Sequence, residues 1–464
     1  MIRGLRVPAL QATALAVVLG TGLPAAAQFQ LPPAGAEGTS PAGQLPKRLT
    51  YQYGIGSESE IRRRRDADLD RQRRDDALIV MPQLNGHIIY RPTDWLETTL
   101  EVIFEKEFPV REEAVVTLPD GETVTQQDRH FSLVIDQAFF TLKNITDPFE
   151  ISVGRINHED ERHWLYDTSM DVAEVSFKRG GFEIKATAGR EVAVDLDLLQ
   201  RQKHDRNNTF MLYGDYRGVE GLKLAAYSIY RDDREKIEGH PLLLGLRALG
   251  RPSNSFSYWG ELAFLKGSDE RSREFSGYGV DVGATYRFLG QPLTPNITLA
   301  YAFGSGDRDP NDDRKDEFRQ SGLQSNETKF GGVSEFKVYG EALDPELSNL
   351  RVLTAGLGVR PIPDVSVDLV FHHYRLDRMA EELRNSALTA RMNQVSGQES
   401  KDVGSALDMV VGVRNLFGIR QLGIDLRGGL FFPGKAFRID TSSDESISSR
   451  APETGMAVVA KFWW

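Results

Sequence analysis

Apolar and polar residues alternate with period two along most of the chain. In the clearest stretch Leu96, Thr98, Leu100, Val102 and Phe104 share one face, while Glu97, Thr99, Glu101 and Glu105 share the other. Period two is the spacing of a β-strand with unlike faces. Carboxylates on every second residue do not fit a dry core without partners, but they fit a wet interior. The same stripe recurs as Leu49–Ile55, Leu78–Tyr90, Phe131–Leu142, Phe149–Val153, Ala173–Phe177, Phe182–Ala188, Phe210–Tyr216 and Leu222–Ala226. It continues as Leu242–Leu246, Phe256–Phe264, Tyr278–Phe288, Ile297–Phe303, Leu353–Val359, Val365–Phe371, Leu407–Val413, Leu422–Leu430 and Met456–Trp464. The total is about eighteen strands, an even number as bacterial transmembrane barrels require.

The connections separate a barrel from a soluble sandwich. Every second one is short: Pro92-Thr93, Arg179-Gly180, Gly218–Glu220, Gly250–Asn254, Pro361–Asp364 and Asn415–Gly418. The intervening ones are long and polar: Glu105–His130, Asn157–Met170, Glu191–Asn208, Gly304–Asn349, Leu376–Val403 and Phe432–Glu453. Short periplasmic turns alternating with long surface loops characterise an outer-membrane barrel. The sequence ends Lys461-Phe462-Trp463-Trp464. That suits a closing strand with aromatics at the membrane interface.

Three local features are read against this frame. Arg62–Arg65 open a charge run through Asp76, predicted as a solvated loop or a contact with anionic lipid headgroups. Strict alternation from Ile151 and Val153 would turn Arg155 toward lipid, which predicts a bulge at Gly154 or a strand already at the rim. Glu381–Met392 carries Leu383, Leu388 and Met392 at helical spacing, a short surface helix.

Composition narrows the class further. Two arginines in the first six residues, an apolar stretch to Gly20 and Ala25-Ala26-Ala27 form a signal peptide over 1–27. A Pro-, Gly- and Ala-rich leader over 28–48 precedes the barrel, 49–464. The 464 residues include no cysteine, which excludes disulfides and thiolate metal sites, and the net charge of −11 argues against nucleic acid as a partner. Mean hydropathy is −0.37, a value that barrels reach because lumen and lipid faces alternate.

Candidate chemistry lies on the inward parity, with Arg217, Arg247, Arg287, Arg360, Arg414, Arg427 and Lys178 among its basic residues. A guanidinium matches a carboxylate in bidentate fashion, so these positions suit an acidic solute. The same parity carries Glu97, Glu101, Glu174, Glu183, Asp215, Glu261, Asp281, Asp368, Asp408 and Asp425. Cross-strand pairing is therefore the competing role for each arginine. Asp307, Asp309, Asn311 and Asp313 alternate like a calcium loop, but Asp312 stands where the turn glycine belongs. His158, Asp160, Glu161 and His163 cluster on a loop, where a hydrogen-bonded lid competes with a metal or acid–base site.

Two segments resemble the alginate export family of outer-membrane proteins. One is Val153-Gly154-Arg155 leading to Arg162-His163-Trp164-Leu165-Tyr166-Asp167 and Met170-Asp171. The other is Phe318-Arg319-Gln320-Ser321-Gly322-Leu323-Gln324-Ser325-Asn326-Glu327 with Tyr339-Gly340-Glu341-Ala342-Leu343-Asp344-Pro345-Glu346-Leu347-Ser348-Asn349-Leu350. The resemblance implies an eighteen-stranded barrel passing an anionic polysaccharide through an arginine-lined pore, with Arg155 foremost and Arg162 beside it. Its surroundings would be outer-membrane lipid, with periplasmic secretion proteins as partners. The family's long C-terminal periplasmic loop has no counterpart at Asn415–Gly418. Pore chemistry alone leaves open an uptake porin for small acidic sugars, and a barrel enzyme with a rim active site.

Overall fold

The computed structural model describes residues 50–463 apart from 70–76, 112–115, 118–122, 125–130, 147, 195, 200–206, 235–238, 441–448 and 451–454. The expected signal peptide, the leader, Trp464 and part of the charge run lie outside the described residues.

Eighteen strands form the wall: β1 (Thr50–Arg65), β2 (Ala77–Thr93), β3 (Leu96–Lys106), β4 (Phe131–Thr146), β5 (Phe149–Glu159), β6 (Asp167–Arg179), β7 (Phe182–Arg190), β8 (Asn208–Val219) and β9 (Leu222–Asp232). The second half comprises β10 (His240–Ser253), β11 (Phe256–Ser268), β12 (Tyr278–Arg287), β13 (Asn296–Gly304), β14 (Leu350–Ile362), β15 (Val365–Leu376), β16 (Asp402–Val413), β17 (Gly423–Pro433) and β18 (Gly455–Trp463). Each pairs antiparallel with its chain neighbours, and β18 pairs with β1 from Glu58–Trp463 to Arg65–Met456. That closure leaves no open edge, the condition for strands to cross hydrocarbon.

The alternation survives in three dimensions. Leu100 and Val282, both 42% exposed, stand on the outer face. Their neighbours point inward: Glu97 pairs with Lys143 (2.9 Å) and Arg91 (2.5 Å), and Gln137 donates to Glu101 (2.6 Å). Charged residues inside are thus neutralised strand to strand, and apolar residues meet the membrane.

Four expectations are corrected. Arg62–Arg65 are not a loop but the upper end of β1, held on both sides by β2 and β18. Arg64 donates to the carbonyl of Ala387 (2.9 Å) and Arg62 pairs with Glu60 (2.7 Å). Residues 381–392 form no helix, because Asn385 turns left-handed (φ 45°) and the backbone bonds outward, Ala387 N–H to Leu343 O (3.0 Å).

Gly154 is not a register bulge: Phe139–Gly154 and Ala138–Arg155 pair in step, as do Gly154–Val172 and Arg155–Asp171. What ends there is the pairing with β4, and β5 continues against β6 alone. Gly154 has φ 132°, and a Cβ on it would lie 2.2 Å from the carbonyl oxygen of Ala138, so only glycine fits. Finally, the Glu191–Asn208 connection is not wholly a polar surface loop. Its Leu196–Leu198 segment takes the place β5 vacates, with Ile135 N–H donating to Leu196 O and Leu198 N–H to Leu133 O (both 2.9 Å).

The closing register is directly testable, since the chain has no native cysteine. Ile61 lies opposite Ala460. An Ile61→Cys/Ala460→Cys pair is expected to oxidise to an intramolecular disulfide, visible as a mobility shift on a denaturing gel. Cross-linking of Ile61→Cys with Val458→Cys in its place would show a register slipped by two residues.

Candidate pore and its inserted hairpin

The 305–349 connection does not stay outside. Glu327-Thr328 pairs with Phe336-Lys337 as a small hairpin, and its tip crosses the lumen to the end bearing the short turns. At that end Val333 N–H donates to Ser366 Oγ (2.9 Å), and Arg414 donates to Val333 O (2.8 Å). Arg287 reaches Phe330 O at 3.5 Å. Ser366, Arg414 and Arg287 all sit beside short turns, so the tip spans the wall's full height. Gly412 makes room for it: a Cβ there would lie 2.7 Å from Val333 Cγ2.

The hairpin and the 160–166 segment are locked to the wall around Asp281 on β12. Arg162 (3.1 Å), Trp259 Nε1 (2.9 Å) and Tyr339 hydroxyl (3.0 Å) all donate to its carboxylate, and Trp164 Nε1 donates to Tyr339 (2.8 Å). Gln320 bridges the two segments, donating to Trp164 O and Asn326 Oδ1 (both 2.9 Å) and accepting from Leu347 N–H (3.1 Å). Asp160 accepts from Leu165 (2.7 Å), Tyr166 (3.1 Å) and Arg162 (3.1 Å) N–H groups and pairs with Arg247 (2.7 Å). Burial alone would raise Asp160, but Arg247 and these donors outweigh it and hold the carboxyl below its usual range.

The chain's profile matches that of the Alginate export family over residues 45–448. The chain belongs to the alginate export family. Alginate production protein AlgE of Pseudomonas aeruginosa is 26% identical over 337 residues, 61% of this chain and 66% of its own. AlgE of Azotobacter vinelandii is 26% identical over 185 residues, 37% of this chain and 38% of its own. The matches thus span less than two thirds of either relative. Among solved structures, OccK11 (OpdR) of P. aeruginosa aligns with a TM-score of 0.55 at 11% identity, covering 89% of this chain and 95% of its own. OccAB3 of Acinetobacter baumannii gives 0.53 at 10%, covering 89% and 99%. These share the outer-membrane barrel fold. Of the residues that carry the family resemblance, Trp164, Gln320, Asn326, Tyr339 and Glu346 hold this family member's inserted segments together.

Most candidate pore cations are already paired. Arg247, with no side-chain exposure, sits among Asp160, Glu161 and Glu261. Arg427 pairs with Glu327 (3.0 Å) and Glu341 (3.5 Å). Arg414 grips Asp425 through two nitrogens (2.7 and 3.2 Å) and lies over the Trp463 ring. Arg217, half exposed at the short-turn mouth, pairs with Asp215 (2.9 Å). Lys178 lies between Glu150 (3.4 Å) and Glu183 (3.7 Å). Arg155 is corrected as a pore residue. Its register with Asp171 turns it to the lipid side, where it pairs with Asp171 (3.5 Å) and donates to Glu191 O (2.8 Å) beneath the 191–199 segment. An unroofed arginine on that face would cost about 2–4 kcal/mol at mid-membrane.

Arg287 and Arg360 differ. Among the described residues neither has a carboxylate within 4 Å, and Arg251 near the end of β10 joins them close enough to repel Arg287. Asp368 is the nearest acid to influence the group, and it is already bonded to Ser366 and Asn296. Alternation alone marks Arg287 and Arg360, but Arg251 lies within the register shift between Gly250 and Ser253, where parity has no force. The carboxylates of Asp307, Asp309 and Asp313 do not converge; Asp309 instead accepts from Asn311 N–H (3.0 Å) in a local turn. Among the described residues the convergent set is Glu159, His163 and Asp167.

Lys329 and Glu335 meet across the hairpin at 3.2 Å. Deleting Phe330–Ser334 between them therefore leaves closable ends and should raise single-channel conductance several-fold in planar bilayers. Unchanged conductance would place the narrow part elsewhere.

The hairpin also carries a pH response. Burial and, less strongly, Asp408 raise Glu341 to about 7 against the pull of Arg427, so the docked hairpin holds a proton that a released one gives up above about 4.5. Docking therefore weakens as pH rises from about 4.5 through 7. Glu327, held near 2 by Arg427 and Lys337 despite burial, acts oppositely and only below about 4.5. More frequent openings at pH 8 than at pH 5.5 are expected, with the difference reduced in Glu341→Gln, since burial also raises Asp344 and Glu346 on the same connection.

Proposed function

We propose that the barrel passes an anionic polysaccharide, alginate or a related uronate polymer, outward across the outer membrane. The observation that carries this reading is the arginine trio Arg251, Arg287 and Arg360 at the periplasmic mouth, in a lumen whose other candidate cations are paired. A cation already matched by a carboxylate has little left for a solute. An unmatched one between low-dielectric walls attracts anions strongly, while loop acids in water are screened beyond about 8 Å. The family and the names of its AlgE relatives support a polymer of carboxylated sugars.

Carboxylates arriving from the periplasm would meet the trio first and exchange from one guanidinium to the next, which weak hydration of the group favours. The hairpin tip shares this mouth through Arg287 and Arg414, so an entering anion competes with the tip's carbonyls for the same donors. That competition gives the polymer itself a means of loosening the hairpin. Periplasmic secretion proteins would deliver the chain at this mouth.

A channel fits better than an enzyme. Thr354, His372 and Asp408 do line up, Thr354 Oγ1 to His372 Nδ1 at 2.9 Å and His372 Nε2 to Asp408 at 3.3 Å. All three are sealed under the hairpin, and Asp408 also accepts from Glu341 N–H (3.1 Å). We read this chain as an anchor for the inserted segment.

Reversal potentials under a salt gradient test the proposal. The wild-type channel should prefer anions and be blocked by uronate oligomers added from the periplasmic side. Arg287→Glu/Arg360→Glu should reverse the preference and weaken block about tenfold or more, whereas Arg63→Glu changes little. A cation-selective wild type, or one indifferent to uronates, removes the acidic-polymer reading. Block by monomers but not by oligomers would favour an uptake porin.

A further inference from the structure

The outer wall carries a second site that the pore does not use. Where β4 and β5 part, a cavity of about 390 Å³ opens on the lipid-facing side, in the size range of small-molecule pockets, about 300–1,000 Å³. Its walls are Ile135, Ala138, Val153, Ala173, Ala188 and Leu196, with Val194 at its edge and Arg155 beside Asp171 at its floor. Register puts Val153, Arg155, Asp171, Ala173 and Ala188 on the outer face. From Phe149, six residues at ~3.3 Å each on a strand tilted ~40° raise Arg155 about 15 Å above the short-turn rim. That is inside the apolar band, about 25 Å tall, in its outer part.

We infer that this groove binds a phosphate-bearing membrane lipid, one acyl chain lying along the small outward side chains and a headgroup or ester oxygen accepting from Arg155. Two observations select that occupant. The groove is continuous with surface that already faces lipid, because Val194, Leu198 and Leu199, each more than half exposed, lie on the segment that roofs it. Arg155 is about nine-tenths buried, and its Nε donor has no hydrogen-bond partner, although Nη1 reaches Glu191 O. Asp171 balances its charge through Oδ1 (3.5 Å), while its Oδ2 is taken up by the N–H groups of Ala193 (2.7 Å) and Val194 (3.2 Å). The guanidinium therefore retains donor capacity beside the cavity, in a place that water reaches poorly. The alanines at 173 and 188, where neighbouring strands carry larger outward residues, leave the space a chain needs.

Native mass spectrometry of the delipidated, detergent-solubilised barrel tests this. Dimyristoyl phosphatidylglycerol should give a one-to-one adduct retained at least tenfold better than dimyristoylglycerol. Ala173→Phe, which fills the groove from its wall, should lose the adduct about tenfold while keeping a heat-modifiable barrel and wild-type conductance. Arg155→Gln should bring phosphatidylglycerol down to the diacylglycerol level. Equal retention by wild type and Ala173→Phe overturns the site. So does a wild type with no preference for the phosphate-bearing lipid.

Discussion

Hydrocarbon supplies no hydrogen-bond partners, so every strand in this wall must be paired on both sides. The β1–β18 ladder meets that demand, and its register fixes which residues face inward all the way round. Where the demand is not met by a strand, something else meets it. Above Ala138, β4 loses β5, and Leu196–Leu198 supplies the missing backbone bonds. The wall is sealed at that point by a loop, which also brings apolar side chains to face the membrane.

Closure creates the second constraint. A barrel of this size encloses a lumen lined by charges, and these are costly to bury unless paired. The 305–349 hairpin enters that lumen with its own polar groups matched to the wall: Tyr339 to Asp281, Glu341 to Asp408, Glu327 to Arg427. Each contact satisfies a buried group on both sides. These polar pairs are set in a buried apolar cluster to which the connection contributes Phe318, Leu323, Phe330, Phe336, Leu343 and Leu347.

The distribution of arginines follows from the same pairing. Mid-lumen arginines such as Arg247 and Arg427 are consumed by the inserted segments and opposing strands. At the short-turn mouth Arg217 and Arg414 still find Asp215 and Asp425, but among the described residues Arg251, Arg287 and Arg360 have no carboxylate partner. Excess positive charge thus accumulates at an entrance of a chain that is acidic in total.

The sequence by itself determined the wall: eighteen strands, their inward and outward faces, and the alternation of short turns with long loops. Those features are local, since a two-residue period and a turn are written in adjacent positions. The tertiary structure alone decided which loop enters the lumen, which arginines are spent on acids, and that Arg155 faces lipid. At Arg155 the alternation was right. An outward arginine was discounted because the sequence does not reveal the 191–199 roof that makes it tolerable. Arg251 falls in the stretch that the sequence marks as the Gly250–Asn254 turn, where parity has no force, although the strand runs on to Ser253 past a register shift. Pairing between residues as distant as Arg162 and Asp281 depends on where a long loop folds, and no spacing within one strand encodes that.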